Sequence, residues 1–350
     1  MKIYFLIDKN YSQNSFAFIY PILINKKYFN EKIFLSNKIP NNNHDVILVD
    51  SKFFYEKFKE NNIQLIKKKI QELKSKCKKL VYVDNEASIF INKNIIEIFD
   101  YYLKGRIPND KNIYKKKLYG LREFTEFYHH KFNIKDDNEV YSECLKEKDI
   151  NKIILSWNNG ICDYSFWSKI NRNIFKFSNI VFNNFKCNDY EKLQNFSARF
   201  AQNYLRQTVD FQRKKLSKLI NNAQITNRIS RYRYFNELKR SKISFSPFGW
   251  GEICYRDFES FYYKCALIKP NMDHINTWPK YYIKNTTYLS LNWDFSNFEN
   301  IIQYINDKKN EKNLSYIAEE GQKKYFYYLS SGEDSPFVLH FKNILKRILL

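Results

Sequence analysis

Glycine and proline are scarce in this chain, seven of each among 350 residues, which excludes collagen-like repeats and the Pro/Gly-rich composition of low-complexity linkers. The six cysteines, Cys77, Cys144, Cys162, Cys187, Cys254 and Cys265, are scattered without a CxxC pair. Neither a disulfide framework nor a cysteine-ligated zinc site is indicated, and reduced, mostly buried thiols are expected. Histidine is also rare, with five residues and no HExxH, and no GxSxG elbow accompanies them. The usual zinc-hydrolase and serine-hydrolase motifs are therefore missing. No apolar run approaches the ~20 residues a membrane-crossing helix needs. The opening MKIYFLIDKN is broken by Asp8 and Lys9 too early for a secretory leader, so a cytoplasmic location is expected.

What the chain does have is apolar and aromatic side chains, 44% and 18% of residues. That is enough for a sizeable core, and the length favours two domains. Lys and Arg number 59 against 37 Asp and Glu, a formal charge of +22. Such an excess can serve nucleic acid or an anionic membrane surface. Here, however, lysine rises together with Asn, Ile, Tyr and Phe, as AT-rich coding would impose whatever the function. No zinc knuckle, paired RNA-sheet aromatics or DNA-reading helix accompanies it, so nucleic acid is not the expected partner.

The pattern along the chain reads as α/β. KIYFLI (Lys2 to Ile7), DVILVD (Asp45 to Asp50) and KLVYVD (Lys79 to Asp84) are short apolar runs of the kind buried parallel strands show. Between the second and third, Phe54, Phe58, Ile63, Leu65, Ile66, Ile70 and Leu73 approximate helical spacing within Phe53 to Lys78. YGLREFTEFYHHKF, Tyr119 to Phe132, is placed near the cleft or between domains, and a strand is read at IILSW. The boundary is set near Asp189, giving domains 1–188 and 189–350. Beyond it strands and helices alternate again, as in a second doubly wound unit. The last segment, Pro336 to Leu350, is an amphipathic helix with Phe337, Leu339, Phe341, Ile344, Leu345 and Ile348 largely on one side. It is expected to pack back onto the first domain, with a membrane-surface role as the alternative.

The stretch that carries chemistry is Ser244 to Pro279, SFSPFGWGEICYRDFESFYYKCALIKPNMDHINTWP. It reads as strand, glycine loop, helix and strand, with the helix starting near Glu252. Gly249 and Gly251 would let a ligand approach the main chain, and the helix N-terminus would face a diphosphate. Glu252, Arg256 and Glu259 recur at spacings of four and three, which puts them on one helical face. Arg256 can fork onto phosphate, and Glu259 can accept two hydrogen bonds from a ribose diol. Lys264, at the end of this helix before the next strand, reads as a tolerated cap, with a phosphate contact as the alternative.

The run SPFGWGEICYRDFE, followed by LIKP and TWP, resembles the C-terminal signature of exostosin-like and related GT-B glycosyltransferases. The likeness extends upstream to FSARFAQNYLRQTVDFQR and downstream to YLSLNWDFSNFENII and IAEEGQKKY, with VDNEAS and YGLREF looser. It implies two Rossmann-like domains facing across a cleft, and a nucleotide-sugar donor bound mainly by the C-terminal half without a metal or other cofactor. The implied acceptor is a glycan or glycolipid, as in lipopolysaccharide or capsule synthesis. Peripheral contact with the cytoplasmic face of a membrane stays open. By the same resemblance Glu252 and Glu259 correspond to an E-x7-E pair, here one residue shorter, in which the second Glu holds ribose and the first faces sugar or phosphates. A basic side chain would steady the leaving diphosphate, with Arg206 the first choice and Arg199 the second; Arg213 follows in the same segment. An inverting enzyme would need a base from the first domain. Asp84 is favoured over Asp8 and Glu86, with His129 and His130 as another option; a retaining enzyme would need none. Asp136 and Asp137 read as solvated loop. A GT-B domain that binds a glycan or partner without turnover is the alternative function.

Overall fold

Two separate parallel sheets organise the chain in a computed structural model that describes residues 1–8, 12–54, 63–178, 180–183, 189–220 and 229–350. Phe58 and Cys187 lie outside these residues. The first half runs β1 (Lys2–Leu6), α1 (Gln13–Asn25), β2 (Lys32–Ser36), β3 (His44–Asp50), α2 (Ile63–Lys74), β4 (Cys77–Asp84), β5 (Tyr101–Lys104), β6 (Arg106–Pro108), α3 (Glu123–Phe132), β7 (Ile153–Leu155) and α4 (Ser168–Ser178). Six of its strands form one sheet in the order β2-β1-β3-β4-β5-β7, parallel throughout. The second half runs β8 (Gln194–Ser197), α5 (Gln207–Ile220), α6 (Arg231–Arg240), β9 (Ser241–Phe245), α7 (Tyr255–Tyr262), β10 (Ala266–Pro270), β11 (Ile275–Thr277), β12 (Tyr288–Leu291), α8 (Phe298–Asn306), α9 (Glu311–Leu329) and α10 (Pro336–Leu349). Its parallel sheet has the order β12-β10-β9-β8. Two Rossmann-like α/β halves are thus present, as the sequence pattern and the resemblance implied.

The strands form where apolar, β-branched runs can be buried on both faces: four of the five residues of β1 are buried, and all but one of β3. Helix α2 falls within the segment read as helical and buries Ile66, Ile70 and Leu73 against the sheet. Helix α1 has no counterpart in the pattern reading. Its QNSFAFIYPILIN core is apolar on every side, so it lacks the one-sided period that marks a surface helix. It is buried in the core of the first half, with Phe18 6.4 Å from Phe5 and 4.5 Å from Trp157 between ring centres, and Ser12 caps it by accepting from Ser15 N.

Helix α10 belongs in packing to the first half. Phe341 lies 6.0 Å from Phe5 and 5.3 Å from Phe29 between ring centres, and Phe337 lies 5.1 Å from Trp157. Val338, not Leu339, completes its buried face, because residue 339 sits about 200° around the helix from 337 and is exposed. That face is occupied by the core of the first half, and Leu339, Leu349 and Leu350 are left exposed. Among the described residues no helix is long and apolar enough to cross a membrane.

The halves are also stitched by an antiparallel pair, β6 with β11, registering Ile107 against Asn276. Asn109 N extends it by donating to His274 O at 3.0 Å.

Candidate functional site

The C-terminal ends of parallel strands leave backbone groups and loops to face a crevice. Here the loops after β4 and β7 meet those after β8 and β9 around a cleft of about 900 Å³. Asn14, Asn85, Ala87, Arg106 and Asn159 line it from the first half. From the second half come Arg199, Arg213, Arg231, Tyr234, Gly249, Gly251, Arg256 and Glu259, with Tyr204 and Trp250 as a wall whose rings are 5.3 Å apart. A groove of about 810 Å³ on the far side of the second sheet holds none of the expected site residues.

Five arginines line the cleft, and Glu259 is the one carboxylate among its described lining residues. Arg213 is held by carbonyls: its Nε donates to Phe248 O and its Nη1 to Ala201 O, both at 2.6 Å. Burial, and then the neighbouring Arg256, push its pKa down from the ordinary arginine value. Arg256 stands beside it with Nε and Nη1 buried and without a hydrogen-bond partner. Arg231 ties α6 to the start of α4 through Ser165 O, Phe166 O and Ser168 Oγ. Glu259 accepts from Tyr234 Oη at 2.6 Å on Oε2. Burial raises its pKa, against the opposing pull of Tyr234, Arg256 and Arg231. The arrangement presents undercompensated guanidinium groups beside a carboxylate oriented by one hydroxyl, which suits an anion attached to a polyol.

Several expectations are corrected. Helix α7 begins at Tyr255, three residues later than expected, with Cys254 as its cap and Asp257 accepting from Cys254 N at 3.0 Å. That carboxylate, itself bonded to Ser246, Tyr282 and Lys269, already compensates the helix N-terminus. Glu252 therefore sits in the loop and does not share the face of Arg256 and Glu259. Its side chain is 0% exposed and turned towards His274, 3.7 Å away. Burial works to raise its pKa, but His274 and Arg106 outweigh it and hold the carboxyl below its ordinary value. Arg122 stands in the same cluster, and burial pushes its guanidinium down to about 10.

Neither loop glycine has a positive φ, so backbone strain is not their reason. A Cβ on Gly251 would lie 1.5 Å from Ala87 O, so this glycine permits the two halves to touch. A Cβ on Gly249 would come within 3.3 Å of Arg213 Nη2.

Asp84 is buried and is not among the cleft's lining residues. Its carboxylate accepts from Tyr102 Oη at 2.5 Å, Lys104 Nζ at 2.6 Å and Glu86 N at 2.7 Å in a buried cluster. The alternatives are likewise engaged: Asp8 accepts from Ser12 N, and Glu86 pairs with Lys52 at 2.5 Å. His129 stacks on Tyr119, and His130 contacts Glu126. Arg206 lies outside the cleft lining, its carbonyl starting α5 and its Nη1 donating to Gly120 O at 2.8 Å. Arg199 does reach the cleft but is forked onto Glu237. Asp136 is buried and bonds Thr208 N and Oγ1 at the start of α5, so it is not solvated loop. Lys264 does adopt a left-handed backbone, φ 55°, with its amine on Asp189 at 2.6 Å.

No family model and no curated protein matches the chain. Among solved structures it is similar to an alpha-glucosyltransferase in complex with UDP, at 9% identity and TM-score 0.41 over 100% of this chain and 99% of that one. It is also similar to HepE from Anabaena in complex with UDP, at 10% identity and TM-score 0.44 over 99% of each chain. A glycosyltransferase from Rickettsia africae ESF-5 gives 10% identity and 0.43 over 99% and 97%. At scores this low none of these likenesses carries an argument; the fold class rests on the two parallel sheets themselves.

Proposed function

We propose that the chain is a GT-B-type glycosyltransferase that moves a sugar from a nucleotide donor to a glycan or glycolipid acceptor of the surface-polysaccharide kind. The observation that carries this reading is the pair of unpartnered Arg256 donors beside Arg213 in an interdomain cleft that also offers Glu259. A diphosphate would fork onto the guanidinium groups, and a ribose diol would donate to the Glu259 oxygen that Tyr234 leaves open. The Tyr204 and Trp250 rings suit the flat face of a base or sugar. The exostosin-like resemblance of the loop and α7 points the same way.

In the transfer, the bond from the anomeric carbon to the diphosphate oxygen breaks and a bond to the acceptor oxygen forms. The two arginines stabilise the charge that grows on the leaving group, in place of a metal. Among the described lining residues the first half offers amides and Arg106 but no carboxylate. The departing phosphate oxygen becomes basic as the bond breaks and can accept the acceptor proton, and a base from the first half would serve an inverting transfer in its place. The same observation favours a second reading, a GT-B domain that binds nucleotide sugar or glycan without turnover. Incubating the protein with a panel of nucleotide sugars and glycan acceptors, with and without chelator, separates them. Chelator-insensitive release of nucleoside diphosphate with a sugar-extended acceptor is expected; binding without release would leave the second reading.

A further inference from the structure

We infer that the chain docks on anionic lipid bilayers through the outer face of α4, a surface separate from the nucleotide site and independent of the function proposed for it. Trp167, just ahead of α4, is 61% exposed, Ile170 48% and Phe177 91%; with Ile174 they are spaced three, four and three residues apart. At 100° per residue they fall within about 80° of one another, a single apolar stripe. Beside the stripe, about 40° and 80° on from Trp167, the helix is anchored: Asn171 bonds Asp163 and Phe182 O, and Phe175 packs 5.6 Å from Phe16. The stripe is therefore a rigid outward feature of the folded protein.

Charge selects the occupant. From residue 164 to residue 183 there is no Asp or Glu, while Lys169, Arg172 and Lys176 are present. Lys169 and Lys176 are exposed and project from the helix roughly a quarter-turn or more from the stripe, where their stems can reach anionic headgroups as the apolar side chains enter the acyl boundary. A second copy of the chain seated on the same face would bring these cations together with no carboxylate of the segment to neutralise them. The face also lies at the cleft rim. Arg231, which lines the cleft, is bonded to Phe166 O and Ser168 Oγ, and Arg172 donates to Gln13 Oε1 beside the lining residue Asn14. A docked chain would thus hold its cleft close to the headgroup plane.

The test is co-sedimentation of the full chain with phosphatidylcholine vesicles, with and without phosphatidylglycerol, across a salt series. Binding to the anionic vesicles, weakened by salt, is expected. Since a net charge of +22 can adhere to such vesicles by electrostatics alone, the deciding variant keeps the charge: Trp167→Ser, Ile170→Ser and Phe177→Ser together. Each side chain is exposed, so the variant should unfold at the wild-type temperature while partitioning falls at least tenfold. A Leu339→Ser control on α10 should leave it unchanged. Equal binding of wild type and triple variant would overturn the proposal, as would no vesicle binding at all. A wild type that self-associates in light scattering where the triple variant does not would also overturn it, assigning the face to a second copy.

Discussion

Arg256 offers a substitution whose effects on stability and on binding should have opposite signs. Its Nε and Nη1 are buried without hydrogen-bond partners, and it stands beside the buried Arg213, whose pKa it helps to depress. Leaving a buried donor unsatisfied costs about 1–3 kcal/mol. Arg256→Met keeps the length of the side chain and removes both orphan donors and one of two like charges. The unliganded protein should therefore gain about 1 kcal/mol, which for a chain of this size raises the unfolding temperature by roughly 1–3 °C. Nucleotide binding should move the other way. Charge-assisted hydrogen bonds contribute about 1.5–3 kcal/mol, so affinity for a nucleoside diphosphate should fall roughly 10- to 150-fold, read by calorimetric titration. A variant that is destabilised by more than 1 kcal/mol, or one that binds nucleotide as tightly as the wild type, would refute the assignment of Arg256 as an anion-facing residue.

Glu259→Gln should weaken nucleotide affinity by about 1–2 kcal/mol, whereas Lys264→Gly, at a left-handed position remote from the cleft, should leave affinity unchanged and stability within about 1 kcal/mol; parallel titrations compare them. Asp84→Asn breaks a buried pair with Lys104 and should lower stability by about 3–5 kcal/mol in denaturant unfolding, while turnover per folded molecule is retained; lost turnover in a variant of normal stability would restore Asp84 as a base. His340 stacks 3.7 Å from Trp278, and burial lowers its pKa from 6.5 to about 4. Between those values the unfolded chain binds more protons than the folded one, so stability should fall as pH drops from 6.5 towards 4. His340→Phe should flatten that slope, by roughly 2 kcal/mol across the window once its partial exposure is discounted.

The architecture was legible where burial imposes a period. β1, β3 and β4 contain continuous apolar runs, and α10 and α2 carry one-sided stripes, so each could be read before its neighbours were known. Helix α1 could not, because a helix buried on all sides shows no period. At the site, Arg256 and Glu259 were legible as an i, i+3 pair on one helix, but Glu252 was drawn onto the same face by extending that helix one turn too far. The reason is local: Asp257 and Cys254 form the cap, which leaves Glu252 in the loop and turns it to His274. Arg106 and Arg231 looked like ordinary members of a basic surface, and only the meeting of β6 with the loop after β9, and of α6 with the start of α4, brings them to the cleft. Asp84 followed correctly from its place at a strand end, yet a residue 20 positions away, Lys104 on the adjacent strand, claims its carboxylate.

The most direct test of the nucleotide-binding cleft is thermal unfolding of the purified chain against uridine, guanosine, adenosine and cytidine diphosphates and their sugar conjugates, with and without chelator. One nucleotide should stabilise the wild type selectively and regardless of chelator, and should lose that effect in Arg256→Met. A folded protein that none of them stabilises, or that all stabilise equally in both forms, would contradict the account.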